Sequence, residues 1–164
     1  MMRYLLDTNA LITAKNRFYA FDILPSFWSW LEQVVHRGEC AFLDAVADEI
    51  KAGDDGLVRW IREKIPQASI LKTKQDEYVF AQYREIAEVV YHDPIFSAEN
   101  KEQFMSVADP WLIAAGKTWG DTIVTFETIP GNGSKKVKIP VIAQRMGVRV
   151  VDLYQMMREL HAAL

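Results

Sequence analysis

The sequence predicts a single α/β domain, spanning residues 1–164, with a mainly parallel central sheet. The chain has 164 residues, of which 50% are hydrophobic and 25% are charged. This length and composition are typical of one globular domain with its own core. Short apolar segments alternate with longer segments of helical periodicity. Because parallel strands need crossover connections, which are usually helices, this alternation indicates a parallel sheet covered by helices.

Four short segments have the composition of buried strands. Each is apolar or rich in β-branched residues, and an acidic residue follows each. The predicted strands are Arg3–Leu6, Ala41–Leu43, Thr122–Phe126 and Val148–Val151. The lone cysteine, Cys40, lies in the apolar run of the second strand and is expected in the core.

Helices of the first half are predicted from apolar residues three or four positions apart. A short helical piece is expected near Asn9, which can cap it, and a longer helix extends from Pro25 toward Gly38. After the second strand, Asp44 is expected to cap a helix that Gly53 ends.

Two further helices are predicted before the middle of the chain. The first has its apolar face within 57–65, and the second carries apolar residues from Val79 to Val90. Thr73, three residues before Asp76, resembles a capping box for the second helix. The stretch from 92 to 106 has no clear period and predicts no element.

The second half predicts two strongly signalled helices. Asp109 and Pro110 are typical of a helix start, because aspartate is favoured at the cap and proline at the first helical position. That helix is expected to extend to Trp119. Asp152 is expected to cap the last helix, whose apolar residues pack inward.

Charge, cysteine content and hydropathy exclude several classes of protein. The 19 basic and 22 acidic residues give a net charge of −3, so any nucleic-acid contact must be local. One cysteine allows no internal disulfide, and the three histidines are too scattered for a zinc spacing with it. No apolar stretch approaches the roughly 20 residues of a membrane helix, and Asp7 interrupts the N-terminal apolar segment before a signal peptide could form. We therefore expect a cytoplasmic protein that contacts no membrane.

Acidic residues follow the ends of the predicted strands. Asp7 follows the first strand, Asp44 and Glu49 follow the second, and Glu127 follows the third, while Asp109 opens the helix leading into that strand. Ligands of parallel α/β sheets bind beyond the carboxyl ends of the strands, so these carboxylates are expected to converge. A carboxylate cluster persists only if a cation neutralises it or some members hold protons. Oxygen-only ligands favour Mg²⁺ or Mn²⁺, and such ions typically support attack on a phosphate.

Structural roles for some of these acids remain open at this point. Asp44 and Asp109 are both placed where an N-cap is expected. Asp7 is harder to explain structurally, because Asn9 adds a second polar group on its side. Glu49 lies between apolar helical positions, where a buried carboxylate needs a partner, whereas Asp48 is expected to face water.

Four ordered motifs resemble those of the PIN-domain ribonucleases. They are YLLDTNALI at 4–12, VADEI at 46–50, ADPWLIAA at 108–115 and IVTFE at 123–127. The resemblance spans nearly the whole chain and implies a three-layer α/β/α PIN-like fold. It also implies that Asp7, Glu49 and Asp109 bind Mg²⁺ or Mn²⁺, and that the chain is a relative of VapC-type toxins.

The sequence departs from the family pattern in two places. The family's fourth acid is usually an aspartate after the Val-Thr strand, whereas Glu127 occupies that position here. Glu127 either replaces it directly or reaches the metal through water, and Asp121 is a weaker substitute at the opposite strand end. The separation of Glu49 and Asp109 is also longer than expected of compact VapC-like toxins, which indicates a subfamily with another substrate.

Substrate contacts are predicted beside the acids. Asn9 and Thr125 belong to the quoted motifs, and Lys135 and Lys136 follow a Gly-rich loop, from which they could steer phosphates toward the metal. Lys138 belongs to the same lysine run, which is otherwise explained as a solvated surface. Lys15 and Arg17 are a second source of phosphate contacts.

These observations predict a Mg²⁺- or Mn²⁺-dependent endoribonuclease, with Glu127 completing the site, acting as the toxin of a type II toxin–antitoxin pair. RNA is the expected substrate, with DNA left open, and an antitoxin or a second copy of the chain in a homodimer is the expected protein partner. The alternative is a non-catalytic PIN-like module that acts through a protein partner. Trp28 and Trp30 suggest such a surface, because their spacing predicts that both cannot face the same core.

Overall fold

A computed structural model describes residues 2–53 and 55–164 of the protein. Met1, which belongs to the N-terminal segment considered above, and Asp54 lie outside the described residues. Within the described part of the chain, no helix has the length and apolar character needed to cross a bilayer.

Five parallel strands form one central sheet. They are β1 (Tyr4–Leu6), β2 (Cys40–Leu43), β3 (Ile70–Leu71), β4 (Thr122–Val124) and β5 (Val150–Val151). Their order across the sheet is β3-β2-β1-β4-β5. The chain therefore builds outward from β1 on one side and then returns to add β4 and β5 on the other. Such a reversal between β1 and β4 opens a crevice beyond their carboxyl ends.

Nine α-helices connect the strands within the described residues, confirming the predicted α/β class. They are α1 (Thr8–Thr13), α2 (Pro25–His36), α3 (Asp44–Lys51), α4 (Gly56–Lys64), α5 (Glu77–His92), α6 (Ala98–Met105), α7 (Asp109–Trp119), α8 (Ile139–Met146) and α9 (Leu153–Glu159). A π-helical turn, Ala14–Phe18, continues α1, and a 3₁₀ turn, Gln67–Ser69, precedes β3.

The core lies around the three middle strands of the sheet. Every residue of β1, β2 and β4 is buried, as expected for strands with helices on both faces. Cys40 is among them, as the sequence predicts. Helix α7 approaches this core closely at Gly116, where a Cβ atom would lie only 2.8 Å from Cγ1 of Val148. A larger side chain at this position would push α7 away from the sheet.

Two predicted N-caps at the site edge of the sheet are wrong. Helix α1 begins at Thr8, so Asn9 lies inside it, and the cap residue Asp7 makes no side-chain capping bond. Helix α7 begins at Asp109 itself, with Ala108 at the cap and no side-chain capping bond. The carboxylates of Asp7 and Asp109 are thus not used to cap these two helices.

Two predicted caps farther along the sheet are also wrong. Asp44 is the first residue of α3, and its carboxylate accepts hydrogen bonds from the backbone N–H of Thr73 at 3.1 Å and from its hydroxyl at 2.6 Å. This pair fastens the carboxyl end of β2 to the segment after β3. Thr73 does not cap α5; Asp76 does, accepting from the N–H groups of Tyr78 and Val79.

Three elements were not predicted: β3, α6 and α8. Strand β3 has only two residues, which is too short for an alternating pattern. Helix α6 carries one buried residue, Phe104, so its sequence has no apolar period. The prediction that Trp28 or Trp30 is exposed is wrong as well: their exposed fractions are 3% and 8%. Trp28 packs edge-on against Trp60 of α4, which covers it.

Candidate functional site

Asp7 lies at the carboxyl end of β1, in the crevice between β1 and β4. Its side chain is 1% exposed, and its Oδ2 accepts a hydrogen bond of 2.8 Å from the Thr125 hydroxyl. Burial raises the pKa of Asp7 to about 6, the charges of Glu127 and Glu49 add to the increase, and the Thr125 hydroxyl opposes it. Asp7 is thus a buried acid held in place by a neutral donor.

Glu49 lies on the last turn of α3 and connects three chain segments. Its Oε2 accepts a 2.5 Å hydrogen bond from the Thr8 hydroxyl of α1. Its Oε1 accepts a 2.7 Å hydrogen bond from the backbone N–H of Ala108, directly before α7. These bonds bring Glu49 to the carboxyl end of β1 and next to Asp109. The sequence predicted that a buried Glu49 carboxylate needs a partner, and the structure gives it two, Thr8 and Ala108.

Asp109, the first residue of α7, has the most perturbed carboxylate in the cleft. Burial raises its pKa to about 8, with further increases from the charges of Asp7, Glu127 and Glu49, while Lys138 lowers it. Among the described residues, no side-chain or backbone donor forms a hydrogen bond with this carboxylate. Asp109 therefore lacks the hydrogen-bond donors that the carboxylates of the other three acids have.

Glu127 closes the site on the β4 side. The backbone N–H of Glu127 donates a 3.1 Å hydrogen bond to the Thr125 hydroxyl. Its Oε2 accepts a 2.8 Å bond from the N–H of Ile139, at the start of α8, and its Oε1 lies 3.7 Å from Nζ of Lys138. Glu127 is thus brought to the same cleft as the three motif acids, although part of its carboxylate is engaged in fixing α8.

The four acids line one cleft of about 470 Å³. Of the predicted substrate contacts, Asn9 and Lys136 line this cleft, and so does Lys138. Thr125 is buried beneath it and contacts Asp7. Lys135 is exposed beside the cleft, where its backbone carbonyl accepts bonds from α6. The full lining comprises Asp7, Thr8, Asn9, Glu49, Asn100, Gln103, Phe104, Val107, Asp109, Glu127, Lys136, Val137 and Lys138.

Three other predicted charges lie apart from the cleft lining. Lys15 forms an ion pair with Asp55, and Arg17 is exposed on the π-helical turn. Asp121 lies at the opposite end of β4 and pairs with Arg3, with Nη2 to Oδ2 at 2.6 Å. Asp121 is therefore in no position to replace Glu127.

One wall of the cleft was missed by the sequence reasoning. Helix α6 contributes Asn100, Gln103 and Phe104, and Val107 follows it. The segment lacks periodicity and carries no charged motif, so the sequence offered no signal that it borders the acids. Its position follows from contacts across the chain, because both the N–H of Ser97 and the side-chain amide of Asn100 donate to the carbonyl of Lys135.

The four carboxylates of the cleft match a hard divalent cation in their chemistry, but their side chains are not arranged around one ion. All four acids offer oxygen, and burial first, then the charges of neighbouring carboxylates, raise the pKa values of Asp7 and Asp109. However, no three acids, histidines or cysteines of residues 2–53 and 55–164 converge so as to hold an ion. Mg²⁺ commonly keeps several waters and uses only one or two protein carboxylates, which fits Asp7 and Asp109 as a pair.

Two solved structures are similar to this chain across most of its length. The crystal structure of VapBC2 from Rickettsia felis, bound to a DNA fragment from their promoter, aligns with a TM-score of 0.56 and 14% identity, covering 92% of this chain and 98% of that one. The crystal structure of FitAcB from Neisseria gonorrhoeae aligns with a TM-score of 0.51 and 21% identity, covering 90% and 95%. At these identities the similarity shows the fold alone, and it confirms the predicted PIN-like arrangement of a parallel sheet covered by helices.

At the level of sequence, the chain matches a family model. No curated protein matches it. One family model, described as a domain of unknown function (DUF4411), matches residues 4–164. That match includes all four motifs and the cleft, and the chain therefore belongs to the DUF4411 family.

Proposed function

We propose that the protein is a Mg²⁺- or Mn²⁺-dependent endoribonuclease that acts in the cytoplasm. One observation carries the proposal: acids from four separate segments of the chain line a single cleft at the carboxyl edge of a parallel sheet, and two of them have strongly raised pKa values. Holding buried carboxylates together is costly, so such clusters are typical of sites that bind a cation.

The four acids of the cleft divide into two groups according to their hydrogen-bond partners. Asp7 and Asp109 are the proposed direct ligands, because the carboxylate of neither is used to fasten the start of another helix. Glu49 and Glu127 each have one oxygen in a backbone hydrogen bond at a helix start, and they are proposed to orient metal-bound water or to bind through it. When bound, the cation would supply an activated water and stabilise the charge of a phosphate under attack. Cleavage of this kind leaves a 5′-phosphate.

Lysines at the rim are proposed to hold the substrate. Lys136 and Lys138 line the same cleft as the acids, on the loop that follows Glu127. A lysine beside carboxylates offers the positive charge that a polyanion needs in order to approach an acidic site. We propose that these two residues, assisted by Lys135 and Asn9, position the phosphates of RNA.

A toxin role is proposed from the similarity in fold. VapBC2 of R. felis and FitAcB of N. gonorrhoeae both align with nine-tenths or more of this chain. The sequence resembles VapC-type toxins over the same length. We propose an antitoxin as the protein partner, with a homodimer as a second assembly to be tested by oligomeric state.

One observation favours the second candidate, a non-catalytic module. Glu49 and Glu127 already have structural bonds, and within the part of the chain described no three metal-binding side chains converge. In that case the acids would stabilise helix starts, and function would depend on a protein partner.

Thermal unfolding with Mn²⁺ separates the two candidates. We expect Mn²⁺ to raise the Tm of the native chain by about 5–10 °C at a hundredfold excess over Kd, since such an excess contributes about 2.7 kcal/mol. Asp109→Asn should lose this response. Asp48→Asn, which changes an exposed acid of α3 outside the cleft, is the matched control and should keep it.

RNA cleavage by the native chain, with and without EDTA, completes the test. A metal response that Asp109→Asn abolishes, together with EDTA-sensitive cleavage, supports the nuclease. An identical response in native chain and Asp109→Asn would place the ion elsewhere. A native chain that neither responds to Mn²⁺ nor cuts RNA favours the binding module.

A further inference from the structure

We infer that helix α6 reads a nucleobase next to the scissile phosphate, and that Gln103 is the residue that reads it. This inference rests on the proposed function, because it assumes that the acid cleft cuts RNA. It begins from the one cleft wall that carries neither an acid nor a lysine: Asn100, Gln103 and Phe104 of α6, with Val107 just beyond it.

Helix α6 and its N-cap are hydrogen-bonded to the loop that bears the lysines proposed to contact phosphates. The carbonyl of Lys135 accepts one hydrogen bond of 3.3 Å from the N–H of Ser97, the N-cap of α6, and one of 2.8 Å from Nδ2 of Asn100 within α6. The next residue of that loop, Lys136, lines the cleft. The position of α6 is therefore fixed relative to the residues that would hold the backbone of the substrate.

Gln103 differs from Asn100 in having its amide free. The Asn100 amide is used for the bond to Lys135, and the backbone carbonyl of Gln103 accepts from Ser106. Within residues 2–53 and 55–164, the side-chain amide of Gln103 forms no hydrogen bond, and the residue is exposed on the cleft wall. A side-chain amide offers one acceptor and two donors, a combination that can distinguish one base edge from another.

Apolar surface beside Gln103 suits the face of a base. Val107 lines the same wall and is 38% exposed, whereas Phe104 is only 3% exposed, so Val107 supplies the accessible apolar surface. Single-stranded RNA is recognised by unstacked bases that lie on apolar surface and are hydrogen-bonded along their edges. The cleft thus has acids for chemistry, lysines for phosphates and, on α6, an amide next to apolar surface for a base.

The test compares cleavage profiles on an RNA library that contains all bases at the positions flanking the cut. We expect the native chain to prefer one base by at least about tenfold, and Gln103→Ala to reduce that preference to about twofold or less. Gln103→Glu, which removes the donors and keeps the size, should shift the preference toward a base that donates. Glu102→Gln, one residue away and outside the cleft lining, is the matched control and should leave the profile unchanged.

Each outcome decides the inference separately from the proposed function. An unchanged profile in Gln103→Ala overturns it, and so does an equal loss of rate at every sequence, which would mean a steric or sugar contact. If the native chain cuts no RNA, the proposed function fails, and binding of four homopolymeric octanucleotides is measured instead. An unequal set of affinities that Gln103→Ala equalises then supports base reading, whereas an equal change in all four contradicts it.

Discussion

The two ends of the β1–β4 pair place a buried aspartate in opposite surroundings. At the amino ends, Asp121 precedes β4 and meets Arg3, which precedes β1; Nε and Nη2 of Arg3 lie 3.0 and 2.6 Å from its Oδ2. At the carboxyl ends, Asp7 follows β1 and meets Thr125, which follows β4. A guanidinium neutralises the first aspartate, whereas a hydroxyl only donates to the second.

This difference separates a structural acid from a candidate functional one. Arg3 also lies over the ring of Trp119, 5.4 Å from its centroid, so the amino-end pair is packed as well as charged. At the carboxyl end, three further acids share the cleft with Asp7, and two lysines, Lys136 and Lys138, line it, with Nζ of Lys138 lying 3.7 Å from Glu127. The excess negative charge there is what an external cation would neutralise.

The largest expected effect is on catalysis. Asp7→Asn should reduce RNA cleavage at least about a hundredfold, because a metal ligand supplies several kcal/mol of transition-state stabilisation. Asp121→Asn should leave the rate per folded molecule within about twofold. The measurement is initial cleavage rates in Mn²⁺, corrected for the folded fraction by a melting curve. Equal losses of rate in the two variants would contradict the assignment of separate roles. Full cleavage activity in the double variant Asp7→Asn, Asp109→Asn would rule out the site.

Stability should show the reverse order. Asp121→Asn removes the charged partner of Arg3 and should lower the free energy of unfolding by about 2–3 kcal/mol. The Arg3 side chain is 29% exposed, so the loss should be smaller than for a fully buried ion pair. Metal-free Asp7→Asn should be neutral or stabilising, because it removes a charge from a repulsive cluster. Urea unfolding in EDTA measures both. A marked loss in Asp7→Asn would show that its carboxylate is primarily structural.

The sequence predicted the parts of the fold that depend on local patterns of residues. The parallel sheet, the strands beginning at Tyr4 and Thr122, and the helix start at Asp109 were predictable, because a short apolar run, a β-branched run and an Asp-Pro pair are local signals. The four acids and their common edge followed from motif order and the position of strand ends, although their roles stay predictions.

What the sequence could not provide depends on contacts between distant segments. Asp44 was predicted as a cap, but its partner Thr73 lies 29 positions farther along the chain. Helix α6 has one buried residue, and its place on the cleft wall depends on the carbonyl of Lys135. The pairing of Arg3 with Asp121 likewise joins residues 118 positions apart. None of these contacts leaves a periodic or local signal.

The pH dependence of metal-free stability should report Asp109. Its pKa is raised to about 8 in the fold from an ordinary 3.8, mainly by burial, so the folded chain binds the proton more tightly than the unfolded chain. Stability is then highest below about pH 4 with respect to this group and falls as the pH rises toward 8. Asp109→Asn should flatten that fall and be more stable than the native chain by at least about 1 kcal/mol at pH 8.5. Asp48→Asn is the control, and an unchanged slope in Asp109→Asn would contradict the raised pKa.

The smallest expected effect concerns the Thr125 hydroxyl. It contacts Asp7 at the carboxyl ends of β1 and β4, as the Arg3 guanidinium contacts Asp121 at their amino ends. Thr125→Val removes the 2.8 Å bond to Asp7 and the 3.1 Å bond from the Glu127 N–H, which should cost about 1 kcal/mol of stability. Because that hydroxyl lowers the pKa of Asp7, its loss should raise the pKa further above 6. The Mn²⁺-induced rise in Tm should therefore be smaller than in the native chain at pH 6 and recover at pH 8. Thr122→Val, at the other end of β4, is the control. A deficit that persists at pH 8 would mean that Thr125 acts by positioning Asp7 rather than by favouring its ionised form.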